Sequence, residues 1–79
     1  MTAELIALGR AVRLLREEQE MSERELARAA GLTSGRLDAI EAGRVDPALD
    51  VLLALAAGLG VTPAALIQRA DAEAKGGDA

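Results

Sequence analysis

None of the 79 residues is aromatic, yet 51% of the chain is apolar. A core without Phe, Tyr or Trp has to be filled by Leu, Ile, Val and Ala, and here leucine and alanine dominate, residues that favour helices over strands. A chain this short buries a smaller fraction of its surface than a long one, so the aliphatic packing must be efficient. The expectation is a single all-α domain, a helical bundle.

The missing residue types also limit the chemistry. There is no cysteine and no histidine, so disulfides, thiolate metal sites, the commonest metal ligand and the usual neutral-pH general base are all absent. A hydroxyl nucleophile would lack a histidine partner, and the only lysine, Lys75, stands in a polar tail beside Gly76 and Gly77. A non-enzyme with no cofactor and no metal is expected. The start, MTAELIALGRAVRLL, lacks the basic lead and continuous apolar run of a signal peptide. No stretch approaches transmembrane length, so a cytoplasmic location is expected. No ligand pocket is evident.

The net charge is -4, which opposes a purely electrostatic attachment to nucleic acid or to an anionic membrane. Its distribution is uneven. From Arg10 to Arg44 seven arginines balance seven acids, whereas the residues before contribute -1 and those after contribute -3.

Helix signals punctuate the chain. Leu5, Leu8, Val12 and Leu15 recur at helical spacing from Glu4 to about Gln19, with Gly9 inside the run marking either a close approach or a tolerated weak point. Ser22 and Glu25 form a capping-box pattern that starts a second helix, burying Leu26, Ala27 and Ala30 and stopping at Gly31, after which Leu32 plugs the turn. Thr33 caps a third helix with Leu37, Ile40 and Glu41 inward and Gly43 as its stop. Asp46 and Pro47 begin a fourth, with Leu49, Leu52, Leu53, Leu55, Ala56 and Leu59 on a broad apolar face up to Gly60. Thr62 and Pro63 repeat the start signal for a fifth, which carries Leu66 and Ile67 and extends toward Gly76. The expected division is a domain over 1–70 and a helix extension with a frayed tail over 71–79.

Two short helices joined by a tight turn at a glycine fit the helix-turn-helix plan. A more specific series surrounds them: LR at Leu15 and Arg16, SxxELA from Ser22 to Ala27, AG at Ala30 and Gly31, IEAGR from Ile40 to Arg44, Pro47, and GLGV from Gly58 to Val61. From about Leu8 to Ile67 the chain resembles the phage-repressor and Cro-type, XRE-like helix-turn-helix regulators. That resemblance implies a compact five-helix lambda-repressor-like domain with the helix-turn-helix in helices two and three. It also implies a homodimer on a near-palindromic operator in double-stranded DNA, a transcriptional repressor with helix three in the major groove.

Carried residue by residue, the resemblance makes Arg16 and Glu41 a structural ion pair between helices one and three. It points to Glu23, Thr33, Ser34, Gly35, Arg36, Asp38, Ala39 and Arg44 as the DNA-facing set. Gly35, Ala39 and Ala42 lie opposite Leu37 and Ile40 by helical angle, and none bears a hydrogen-bonding side chain. Relatives often place long polar residues at Ser34, Gly35 and Ala39. Two readings of this bare face stand. Small residues let the backbone enter a groove deeply, with Ala39 on a thymine methyl and Arg36 on a guanine or phosphate; alternatively the face packs flat against protein.

Glu23 departs from the family's usual Gln, and its carboxylate either repels a phosphate or complements a helix N-terminus. Arg44 occupies a loop position where relatives contact phosphate, while Arg10, Arg13, Arg24 and Arg28 read as solvated. Val61, Pro63, Leu66, Ile67 and Ala70 form the expected dimer surface, since they offer more apolar area than one face easily buries. The alternative function is a protein-interaction module on the same fold that does not bind DNA, an anti-repressor or accessory factor.

Overall fold

A computed structural model describes residues 2–76. It contains five helices: α1 Ala3–Glu18, α2 Glu23–Ala30, α3 Ser34–Glu41, α4 Leu49–Gly58 and α5 Pro63–Gly76. No strand occurs among the described residues. α5 runs without a break past residue 70 to Gly76, and the frayed end expected at 77–79 lies outside the described residues.

The starts follow the local chemistry. Thr2 accepts from the Leu5 amide at 3.1 Å, so α1 begins a residue earlier than its apolar stripe suggests. Ser22 and Glu25 close both halves of the capping box, with the Ser22 amide donating to the carboxylate at 2.8 Å and the Glu25 amide donating to the hydroxyl at 3.0 Å. Thr33 accepts from the Arg36 amide at 3.1 Å, and Thr62 from the Ala65 amide at 3.0 Å.

α4 departs from expectation. Pro47 belongs to the preceding loop, because Ala48 is extended (ψ 160°) and separates it from the helix that starts at Leu49. Ala48 has no side-chain oxygen to cap with; Asp50, in the first turn, instead accepts from the Val51 amide at 2.9 Å.

The ends of α1 to α4 share one device. A left-handed residue reverses the chain, its amide bonding three residues back and the next amide five back, which satisfies two orphan carbonyls. Thus Gly43 donates to Ile40 and Arg44 to Ala39, each at 3.0 Å. Gly31, Gly43 and Gly60 fill this role with φ of 71°, 74° and 71°. At the end of α1 the residue is Glu20, the single non-glycine at positive φ among those described.

The core gathers Ala11, Val12, Leu26, Leu37, Leu55, Ala56 and Leu66 from all five helices. On α1 the buried positions are Ala7, Gly9, Ala11 and Val12, while Leu5, Leu8 and Leu15, expected to lead the inward stripe, are half-buried. α1 packs against both α5 and α3, and Gly9 sits where its backbone meets that of α3. A Cβ on Gly9 would stand 2.5 Å from the Glu41 carbonyl oxygen and also strike that of Ile40, so the glycine is required by contact. α4 buries Leu55 and Ala56, with Leu59 buried just after its end, but leaves Leu49 70% and Leu53 45% exposed, so its apolar face is not wholly inward.

Candidate nucleic-acid interface

Gly9 sets the geometry of the site. Residues 6, 9, 13 and 16 share one stripe of α1. Ile6 meets Gly43 and Gly9 meets the α3 backbone. Two turns further, Arg16 clasps Glu41 with two bonds, Nε to Oε2 at 2.9 Å and Nη2 to Oε1 at 3.1 Å. The third guanidinium nitrogen donates to the Met21 carbonyl at 2.9 Å. With side chains 12% and 5% exposed, the pair bolts α1, the α1–α2 turn and α3 into one body. The hydrogen bond from Arg16 to Glu41 is the main reason the guanidinium pKa is raised; Glu41's charge and, more weakly, that of Glu23 act in the same direction. Removing one partner of such a pair typically costs about 3–5 kcal/mol, because the other charge is left buried and unmatched.

α2, the turn Gly31–Thr33 and α3 form the helix-turn-helix. Leu26 and Ala27 face inward from α2, Leu37 and Ile40 from α3, and Leu32 packs half-buried over the turn. Ser34, Gly35, Arg36 and Asp38 are exposed on α3, and a Cβ on Gly35 would meet nothing within 4 Å. Ala42 is exposed at the end of the helix. Ala39 is half-buried, so the bare face is narrower than helical angle alone suggests. Thr33 spends a lone pair on the cap, and its hydroxyl proton stays available to an outside acceptor.

Arg44 is held at the root by the turn that ends α3, where its amide bonds to Ala39. Its guanidinium folds back to Asp38 at 3.3 Å, with both side chains about 60% exposed (59% and 62%). An exposed pair of this kind contributes only about 0.2–1 kcal/mol, so a competing anion can displace it. Glu23 is half-buried at the start of α2 and borders, with Arg13, Arg16, Asp38, Glu41 and Ala42, a polar depression of about 270 Å³.

Arg13 joins this side of the molecule, although at an ordinary solvent position it reads as solvation alone. Its position four after Gly9 and three before Arg16 carries the signal, legible once those two are known to face α3. Arg10, Arg24, Arg28 and Arg36 are exposed and form no salt bridge among the described residues.

The expected dimer surface divides. Leu66 is fully buried in the monomer's core, which removes it from any interface. Val61 and Ala70 are half-buried against that core, whereas Pro63 and Ile67 are exposed. The most exposed of the large apolar side chains is Leu49, expected on the broad apolar face of the fourth helix; its i+4 neighbour Leu53 and Val45 are exposed with it. An apolar run on α4 too wide for one buried face was the available signal.

A five-helix bundle that presents its second and third helices on one rigid platform defines the helix-turn-helix class. The family model described as helix-turn-helix matches residues 12–66, and the chain belongs to that family, in its phage-repressor and Cro-type, XRE-like branch. Among solved structures it is similar to the restriction-modification controller protein C.AhdI from Aeromonas hydrophila, with 31% identity over 82% of this chain and 98% of that one and a TM-score of 0.80. The clp gene regulator ClgR from Corynebacterium glutamicum is 28% identical over 95% of this chain and 79% of that one, TM-score 0.87. The hypothetical transcription factor NHTF from Neisseria is 35% identical over 78% of this chain and 71% of that one, TM-score 0.73. No curated protein matches the chain in sequence.

Proposed function

We propose that the protein is a sequence-specific DNA-binding transcriptional regulator of the cytoplasm, a repressor that occupies its promoter as a symmetric dimer. One observation carries this reading. α3 exposes a face of small residues, flanked by Ser34 and Arg36 and ended by Arg44, on a body made rigid by the Arg16–Glu41 clasp. The eight residues of α3 form a rod about 12 Å long. With Gly35, Ala39 and Ala42 on its outer side the rod is thin enough for its backbone to approach the floor of a major groove. Ala39 then lies against a thymine methyl and Arg36 reaches a guanine edge or a phosphate, while Thr33, Ser34 and Arg44 hold the sugar-phosphate chain.

The similar proteins named above as a controller, a gene regulator and a transcription factor support the regulatory role. For the dimer, the apolar side chains left exposed on α4 and at the start of α5, Leu49, Leu53 and Pro63, supply the contact in place of the buried Leu66. In a near-palindromic site the two α3 helices then read successive major grooves about 34 Å apart.

A selection from random duplexes with the purified protein, followed by sequencing, tests the reading. An enriched near-palindromic motif is expected, with affinity that falls steeply with salt; Arg44→Ala, which removes one phosphate contact from each copy of the dimer, should weaken binding to all sequences and flatten the log–log salt slope by about 2. A folded protein that enriches no motif at any salt overturns it. That result would favour the second reading, a protein-interaction module, to which the carboxylates of Glu23 and Asp38 on the same side are better suited.

A further inference from the structure

We propose that a groove between α1 and α5 is a docking site for a cationic, amphipathic helical segment of another protein. The groove is open and about 460 Å³ in volume. Its floor is apolar: Leu5 and Leu8 from α1, Ile67 and Ala70 from α5. Ile67 remains 48% exposed there, although its neighbour Leu66, about 100° round the same helix, is fully buried in the core. From Ile67 to Ala74 the lining follows i, i+3 and i+7, a length of about 10 Å, which matches two turns of a partner helix laid alongside.

The rim decides what occupies it. Glu4, Asp46 and Asp71 stand around the apolar floor, and among the described residues no arginine or lysine lines it. Asp71 holds Lys75 at 2.9 Å in an exposed i,i+4 pair, a weak contact that an incoming cation can replace. Among the described residues Glu4 and Asp46 form no salt bridge. Three carboxylates bordering an apolar trough complement leucine or isoleucine anchors flanked by lysine or arginine, and repel an acidic segment.

A second copy of the chain fits poorly. Beyond Arg44 its two cations are already engaged, Arg69 by Glu18 and Glu73 and Lys75 by Asp71. It could answer the rim only with the arginines of α1 to α3. That contact joins unlike surfaces, and unlike surfaces build rings or open chains, not a two-fold dimer.

The test uses the whole protein with isotope labelling and a synthetic helical peptide that places leucine at i, i+3, i+4 and i+7 and lysine at every other position. Chemical-shift changes are expected at Leu5, Leu8, Ile67, Ala70 and Ala74, weakening as salt rises, and the same peptide with glutamate for lysine should give none. Ala74→Trp, an exposed position that narrows the groove, should abolish the changes; Glu4→Lys should weaken the affinity by about threefold or more. Thermal melts of both variants check that the fold is kept. Changes centred on α2 and α3, or a response unaltered by Ala74→Trp, would overturn the proposal. So would sedimentation and cross-protection showing that a second copy covers the groove in the absence of peptide. None of these readouts depends on DNA binding.

Discussion

Two glycines in helices illustrate how one residue type serves opposite purposes. At Gly9 a methyl group would press on the backbone carbonyls of Ile40 and Glu41, and backbone does not yield as a flexible side chain does. Gly9→Ala should therefore destabilise the protein by about 1–3 kcal/mol despite alanine's higher helix propensity, because overpacking outweighs the propensity gain. At Gly35 nothing lies within 4 Å of the same methyl. Gly35→Ala should raise stability by up to about 1 kcal/mol, as expected for an exposed helical glycine. If α3 binds by close backbone approach, however, the same substitution should lower duplex affinity. Urea melts and duplex titrations on the two variants read both quantities, and unchanged or tighter DNA binding by the more stable Gly35→Ala would remove the close-approach mechanism. The sequence leaves the two glycines nearly alike; only the third dimension separates a residue pinned against a neighbouring helix from one facing open space.

At the scale of elements, the helix ends were the most readable part of the chain and also expose its local weakness. The capping box at Ser22, the caps at Thr33 and Thr62 and the glycine stops depend on interactions within a few residues, so their sequence signals carry through to the fold. Pro47 did not, because whether a proline opens a helix or ends a loop depends on the ψ of its successor, set by tertiary packing. The same distinction explains Leu66 and Leu49: periodicity marks both as apolar, but which one is covered depends on where α1, α2 and α5 lie. Glu20 takes at φ 57° the place that glycine takes in three sister turns. Glu20→Gly should relieve about 0.5–1 kcal/mol of backbone cost. For a domain of this size that is a rise of about 2–8 °C in Tm by calorimetry, and an unchanged or lower Tm would show the turn to be unstrained.

The capping box adds a pH dependence. Bonds from the Ser22 amide and, secondarily, the Ser22 hydroxyl interaction lower the Glu25 carboxyl below its ordinary 4.5. A carboxyl depressed in the folded state stabilises it fully above the ordinary value, and that contribution is lost as pH falls through the lowered one. Arg69 lowers Glu18 in the same direction through its hydrogen bonds. The pair Glu18→Gln and Glu25→Gln should therefore flatten the loss of stability below about pH 4.5 while changing its slope little near pH 7. Denaturant melts across that range test the sign, and an unaltered acid limb would refute it.

For the whole molecule the question is how a chain of net charge -4 holds a polyanion. The acids are not spread evenly. From Asp46 to Gly76 there are four acids and two bases, and both bases are committed to carboxylates, whereas Arg13, Arg36 and Arg44 belong to the half that carries the helix-turn-helix. With so few phosphate contacts per copy, one domain should bind weakly, and useful affinity then requires two copies linked across a two-fold axis. The longest dimension of the domain, 33 Å, is close to the spacing of about 34 Å between half-sites, so in the proposed dimer two domains placed end to end along that axis would span successive grooves. Leu49 and Leu53, one turn apart on α4 and both exposed, are the apolar side chains assigned to that contact in the proposed dimer. Leu49→Glu with Leu53→Glu, at α4 positions 70% and 45% exposed in the monomer, should leave the isolated domain folded, with a stability within about 1–2 kcal/mol of the parent. Sedimentation should shift from dimer to monomer, and affinity for a two-half-site duplex should fall toward that for a single half-site. A parent protein that sediments as a monomer at concentrations saturating the duplex, or a variant that retains the two-site advantage, would place the association elsewhere on the surface.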